Sequence, residues 1–594
     1  MSIGKIYLPG GIGTPVGSYE FILNDKSSLV EIGTVVTAET KEGLVVGMVD
    51  DMRTIGLDSD PILANLANGT SSTKLKEVIL GKVTIFYSKN LRSVKSGTVR
   101  IATHEEIKLA TGFSKNNWPI AGGVIPLDNQ FSTVYLDGTA LLGPESAHLN
   151  VGGLSGQAAK TSYMSFLLKS ALNSSGPEHK IAALLFNVKG DDLIYLDQPA
   201  STKLSDEDIA MYQALGLTPE PFQNVTVFAP ATFMNKDVTN SSRIDSHPLL
   251  WDLKVIWPYL KSYLGNIIYE DEKIASFLAD FATHILYNKN PNVRIGSFEE
   301  LDYWFRELLA QAEESETQYA WRSHHKATMW RIRRMLMGIV SRSNGLISMQ
   351  SGNVRDVNPN LYQDGAVVVI DISSLTPDIQ AVVMTKVIQD ALKNISTNKL
   401  NVDHLIVLTD ELNTFAPSSG TEMNSIKKLL HNISTQGRYA GVSLWGAGQK
   451  LSKIDEHIRD NAATRALGVI SDGELSSGVY GKISRGLHER ITSLDKGSII
   501  LSHYLFRSPL LIKFPRPAWL MGKVKDGSKN LSAFTSMVEQ GEDQIDIALM
   551  QELATTSEDA LELATKMHKV ADLTTSKLVK EKSTFDENNP FSLS

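Results

Sequence analysis

Cysteine is absent from all 594 residues, which excludes disulfide staples and every metal or redox site that needs a thiolate. That absence suits a reducing compartment, and a cytoplasmic location is expected. Long apolar runs are missing as well. Runs such as Ala366 to Ile370 fall far short of the roughly 20 residues of a membrane helix, so no membrane partner is expected. The start MSIGKIYLPGGIG has neither the basic opening nor the apolar centre of a signal peptide. Nor is there an excess of positive charge: 58 Lys and Arg stand against 66 Asp and Glu, a net charge of −8. This argues against a wholly basic nucleic-acid wrapper and leaves only local basic patches open. None of the 13 histidines sits in a zinc spacing. His148 and His404 flank strands and read as packing or edge residues. Internal repeats and low-complexity tracts are absent too.

What remains is an ordinary globular composition, 42% hydrophobic and 21% charged, long enough for two or three domains. Residues 1–145 read as short strands at close spacing, as in GTVVTAETKEGLVVGMVDDM and KVTIFYS, which predicts a small β-barrel for docking or assembly. From His148 strands alternate with helices, the pattern of a mostly parallel sheet. That core is expected over 146–245 and 352–515, interrupted by a helical insertion at 246–351. The basic run WRIRRML ends the insertion and reads as a solvated or interface helix face before it reads as a DNA contact. Residues 516–594 form a polar, acidic extension expected to be partly mobile.

Two segments carry chemistry. LIVLTDELNTFAP places the buried strand Leu405–Leu408 directly before Asp410 and Glu411, where an open α/β sheet puts its ligands. One carboxylate there can hold Mg²⁺ through water while its neighbour orients an attacking water. Asp410 as a helix N-cap is the plainer alternative. HLNVGGLSGQAAKTSYMSFLLKSAL runs from a short strand through Gly153 and Gly156 to Lys160, Thr161 and Ser162, then into an apolar helix. Strand, glycine loop, Lys-Thr and helix is the context of a phosphate-binding loop, whose backbone N–H groups wrap phosphate. The loop departs from G-x-x-x-x-G-K-[ST]. Leu154 and Ala159 stand where glycines belong, although small residues such as Ala158 and Ala159 still allow close backbone approach.

The order of parts, ending in DELNTF and GRYAGVSLWGAGQKLSKID, resembles the HerA family of hexameric DNA-translocating ATPases, relatives of FtsK, over about residues 1–515. The resemblance implies a RecA-like P-loop NTPase core with an N-terminal β-barrel and a helical insertion, using ATP and Mg²⁺. It implies Lys160 on the β and γ phosphates, Thr161 on Mg²⁺, Asp410 on the metal's water shell, Glu411 activating water and Gln449 sensing the γ-phosphate. Arg438 matches an arginine finger for a neighbouring subunit, and Arg465 is a second candidate for phosphate contact. Surface ion pairs are the rival reading for both arginines, and a turn cap for Gln449.

The function expected from this resemblance is a homohexameric motor on double-stranded DNA, with a nuclease or sirtuin-like effector docked on the barrel, in anti-phage defence or DNA end processing. A nucleotide-binding ring scaffold with weak hydrolysis is one alternative. A secretion or conjugation motor is another.

Overall fold

The computed structural model describes residues 2–8, 16–24, 30–56, 77–89, 93–127, 130–154, 160–260, 272–290, 292, 294–419, 425–481 and 483–522. The C-terminal extension lies outside the described residues from 523 onward.

Alternating and clustered β-branched residues build six strands first: β1 (Ser2–Tyr7), β2 (Ser18–Leu23), β3 (Val35–Thr40), β4 (Gly43–Gly56), β5 (Glu77–Ser88) and β6 (Thr98–Ile101). They close into an antiparallel barrel in the order β1-β2-β5-β4-β3-β6. Closure removes the exposed edges that short strands would otherwise leave. The barrel has its own core around Phe21, Val36, Val83 and Val99.

The next two strands, β7 (Pro119–Leu127) and β8 (Gln130–Asp137), leave the barrel and join a 12-stranded sheet. Its other members are β9 (Leu149–Gly152), β10 (Ile181–Asn187), β11 (Val225–Pro230) and β12 (His247–Leu249). After the two-stranded hairpin of β13 (Tyr319–Trp321) and β14 (His324–His325) follow β15 (Val367–Asp371), β16 (His404–Thr409) and β17 (Val442–Gly448). The set ends with β18 (Thr464–Leu467), β19 (Ser498–Ser502) and β20 (Leu510–Lys513). The order is β12-β11-β15-β10-β16-β17-β9-β18-β19-β20-β7-β8. Pairing is parallel from β12 to β18 and antiparallel from β18 to β8. The central strands are continuous apolar runs because helices cover both faces. All seven residues of β10 and of β17 are buried.

Six helices frame the sheet and the insertion: α1 (Lys160–Asn173), α2 (Glu272–Phe281), α3 (Phe298–Glu314), α4 (Lys326–Arg342), α5 (Pro377–Ser396) and α6 (Ser425–Gln436). The second, third and fourth form the helical insertion around an aromatic cluster of Phe277, Phe281, Trp304 and Trp321. The basic run falls on α4. Arg333 pairs with Asp302 of α3 at 2.7 Å, as an interface helix face does, while Trp330 and Arg334 stay exposed.

Residues 516–522 pack back on the sheet domain. Trp519 is buried, its indole donating to Ser165 Oγ on α1 at 3.3 Å. Among the described residues no helix is long and apolar enough to cross a membrane.

Candidate active site

The acid pair follows β16, which is hydrogen-bonded in parallel to β10 and β17. Its end therefore opens at the carboxyl edge of the sheet, where parallel strands present ligands. Here the chain turns sharply. Glu411 has φ 53° and ψ 43°, the left-handed conformation, which costs a non-glycine residue about 1–3 kcal/mol. Buried Leu412 and Phe415 anchor the turn. Leu412 seats there because β17 carries Gly446, where a Cβ would lie 2.2 Å from Leu412 Cδ2.

Lys160 and Thr161 open α1. Lys160 is 6% exposed, and its Nζ lies 2.8 Å from Asp410 Oδ1 and 3.3 Å from Glu411 Oε1. A lysine so deeply buried requires anionic partners, and the two acids supply them. Thr161 Oγ1 donates to Asp410 Oδ2 at 3.4 Å. From the end of β17, Gln449 Nε2 donates to Glu411 Oε1 at 3.4 Å. Five residues from three separate segments thus meet at one sheet edge. Ser162, next along α1, is buried in the helix.

The remaining expected site residues are not part of this cluster. Gly153 N–H donates to the Gly448 carbonyl at 3.3 Å, continuing the pairing of β9 with β17 toward the loop. Gly156, Ala158 and Ala159 lie outside the described residues, and the loop's departure from the consensus lies there with them. Arg438 precedes β17, at the opposite end from Gln449. Seven strand residues separate the two ends, roughly 20 Å at ~3.3 Å per residue. Its guanidinium donates to the Glu145 carbonyl at 2.7 Å and to Tyr439 Oη at 2.6 Å. Arg465 on β18 pairs with Asp460 at 3.1 Å. Neither arginine reaches the acids of its own chain. His148 is buried, its Nδ1 accepting from Leu444 N–H at 2.9 Å, a packing role as expected.

Two residues at the site escaped the sequence reading. Asp192, in the KGDD turn after β10, has its carboxyl pushed up from the ordinary range by burial first, then by Asp410 and Asp191, with Lys160 opposing. Asn413 holds a buried amide oxygen without a hydrogen-bond partner, 3.2 Å from the position of a Cβ on Gly448. The doubled acid of KGDD was the available signal for the first. Nothing local marked the second.

Among the described residues no group of three or more His, Cys, Asp or Glu converges as a metal cage. The donor set fits Mg²⁺ nonetheless, because that ion takes one or two protein ligands and completes its shell with water and phosphate. Thr161 and Asp410 offer a hydroxyl and a carboxylate on one spot, and Lys160 offers the cation a phosphate needs.

The acid strand β16 and the strand entering α1, β9, are parallel and separated by one strand, β17, whose end carries the polar Gln449. With a Lys-Thr helix start facing Asp-Glu, this is the strand order of a RecA-like, mostly parallel α/β core, joined here to a six-stranded barrel.

No family model and no curated protein matches the chain. Solved structures do. VirB4 of Thermoanaerobacter pseudethanolicus is 12% identical, with 67% of this chain and 96% of that chain covered and a TM-score of 0.41. The bacterial conjugative coupling protein TrwB, without its first 70 residues, is 12% identical, with 72% and 95% covered and a TM-score of 0.42. The genome-packaging NTPase B204 of Sulfolobus turreted icosahedral virus 2 is 16% identical, with 26% and 69% covered and a TM-score of 0.20. At these values the chemistry rests on the chain's own side chains.

Proposed function

We propose that this chain is an ATP-hydrolysing motor that moves DNA as a homohexameric ring. One observation carries the reading: a buried Lys160 and its neighbour Thr161 face Asp410 and Glu411 across 2.8–3.4 Å. A Lys-Thr pair opening a helix and an Asp-Glu pair closing a parallel strand have little structural reason to meet there. They have a strong chemical one.

In this reading Lys160 exchanges its carboxylate partners for the β and γ phosphates of ATP. Thr161 and Asp410 hold Mg²⁺, which when bound neutralises the charge developing on the transferred phosphoryl group. Glu411, held by Gln449, orients and deprotonates the attacking water. The left-handed turn at Glu411 keeps that carboxylate at the edge. Arg438, remote from its own site, serves the adjacent subunit, where such a finger is worth ~10³–10⁵ in rate.

The narrower reading is a HerA-like motor on double-stranded DNA with an effector bound through the barrel. DNA in such a ring is held through its phosphates, so binding weakens steeply with salt. ATP turnover is to be measured with and without linear double-stranded DNA, beside Glu411→Gln. DNA-stimulated turnover that the variant loses supports the motor. Nucleotide binding without turnover marks a scaffold ring, and stimulation by single-stranded DNA alone marks a conjugation-type motor.

A further inference from the structure

We propose a second ligand site in the helical insertion, a cleft that binds a phosphate-bearing nucleotide unit independently of Lys160. The cleft measures about 710 Å³ and lies between the start of α2, the hairpin of β13 and β14, and the start of α4. That volume is in the range of small-ligand sites.

Its chemistry is that of an anion site with an aromatic wall. Lys273 and Arg322 bring permanent positive charge, and Ser276, Ser323 and Thr328 bring hydroxyls; among the described residues Glu272 is the one carboxylate lining it. Tyr319 and His325 stand across the hairpin with ring centroids 4.5 Å apart, and Tyr319 is 43% exposed. Exposed aromatic rings beside cations are how single nucleotides are held by stacking and charge.

Arg322 is the residue the fold leaves ready. His324, 4% exposed, takes Asp280 Oδ2 at 3.0 Å, so Arg322 meets the same oxygen only at 3.8 Å, the far limit of an ion pair. Its side chain is 48% exposed, with the guanidinium 5.9 Å over the Trp321 ring, and its backbone is left-handed, φ 52°. The start of α4 adds to the field. No side chain caps it, and its first turn contains no acid, so the helix end is favourable to negative charge.

Two sources supply a nucleotide unit, a free mononucleotide or an unpaired nucleic-acid strand. The full chain carrying Lys160→Ala, which silences the first site, is titrated with AMP by calorimetry and with a fluorescein-labelled single-stranded oligothymidylate by anisotropy. Arg322→Gly is then added. Glycine suits the left-handed turn, so the melting temperature holds or rises while affinity falls at least tenfold. Tyr319→Ala, away from the strained turn, weakens binding in the same direction. Loss confined to AMP assigns the free nucleotide, and loss of oligothymidylate assigns the strand. Failure of both probes to bind, or binding unchanged in both variants, overturns the proposal.

Discussion

Lys160 Nζ lies 2.8 Å from Asp410 Oδ1 and is almost wholly enclosed, whereas the carboxylates it holds keep 20% and 18% of their side-chain surface. The cation is therefore the buried member and the acids are its link to solvent. Removing it by Lys160→Ala leaves two carboxylates facing each other. The expected loss of stability is about 1–3 kcal/mol, less than the ~3–5 kcal/mol of a fully buried pair because solvent screens the acids. Chemical denaturation measures it, and a fluorescent ATP analogue is expected to show binding lost in the same variant.

Glu411 is both strained and chemically placed, and two substitutions separate these roles. Glu411→Gln is expected to bind ATP while turnover falls by ~10²–10⁴, the contribution of a positioned general base. Glu411→Gly is equally inactive, yet it is expected to gain about 0.5–1 kcal/mol where the left-handed φ no longer strains a side chain. A glycine variant less stable than the glutamine variant contradicts the strain argument.

Asp192 bears on pH through its raised carboxyl. A carboxylate whose pKa is raised in the native state destabilises it at every pH above the ordinary range, because the charged form is disfavoured there. Asp192→Asn is thus expected to melt higher than the parent at pH 8, with the gain shrinking as pH falls and the native carboxyl protonates. Melting curves across pH 4–8 decide it, and an unchanged difference at all pH values contradicts it.

Acid is expected to unfold the sheet domain through two buried histidines. Burial lowers His148 to about 4 and His503 to about 3. His503 Nε2 accepts from Asp137 N–H at 3.1 Å while Nδ1 faces Thr464 Oγ1 at 2.8 Å, so a proton on Nε2 breaks a bond as well as charging the core. The unfolded state takes protons near pH 6.5 and the native state does not, so stability is full above that pH. It falls as pH drops from about 6.5 toward 4, by about 3 kcal/mol for His148. His503→Gln is expected to flatten this slope in urea titrations.

Trp519 ties the chain after β20 to the helix that carries Lys160. It is 1% exposed and packs edge-on against Phe222 at 4.8 Å. Trp519→Ala is expected to cost about 3–5 kcal/mol. Proteolysis is expected to cut earlier in that variant.

Much of the site was legible because its parts are local. A buried run followed by Asp410-Glu411, and a helix opened by Lys160-Thr161, announce themselves within a dozen residues each. Gln449 closes an apolar strand as well, but its place in the site was implied only by the family resemblance. Asp192 was not legible as a site residue, since the KGDD turn reads as a polar loop until β10 is known to lie beside β16. The hairpin of β7 and β8 read as more barrel because its alternation is that of any short strand. Its partner turned out to be β20, 389 positions later (513 against 124), paired at Lys513 and Val124.

The sequence by itself determined the alternation of strands and helices in the core, the acids that close β16, and the absence of thiol sites. Periodicity and side-chain type settle those within a single element. It did not determine β12 or the β13–β14 hairpin, which fall inside the span read as helical. Only the tertiary structure decided that β17 lies between β9 and β16, that Lys160 is buried against both acids, and that Arg438 faces away from them. Those facts depend on the order in which distant strands pair. Parallel neighbours share the same apolar pattern whatever their order, so no local stretch of sequence records it.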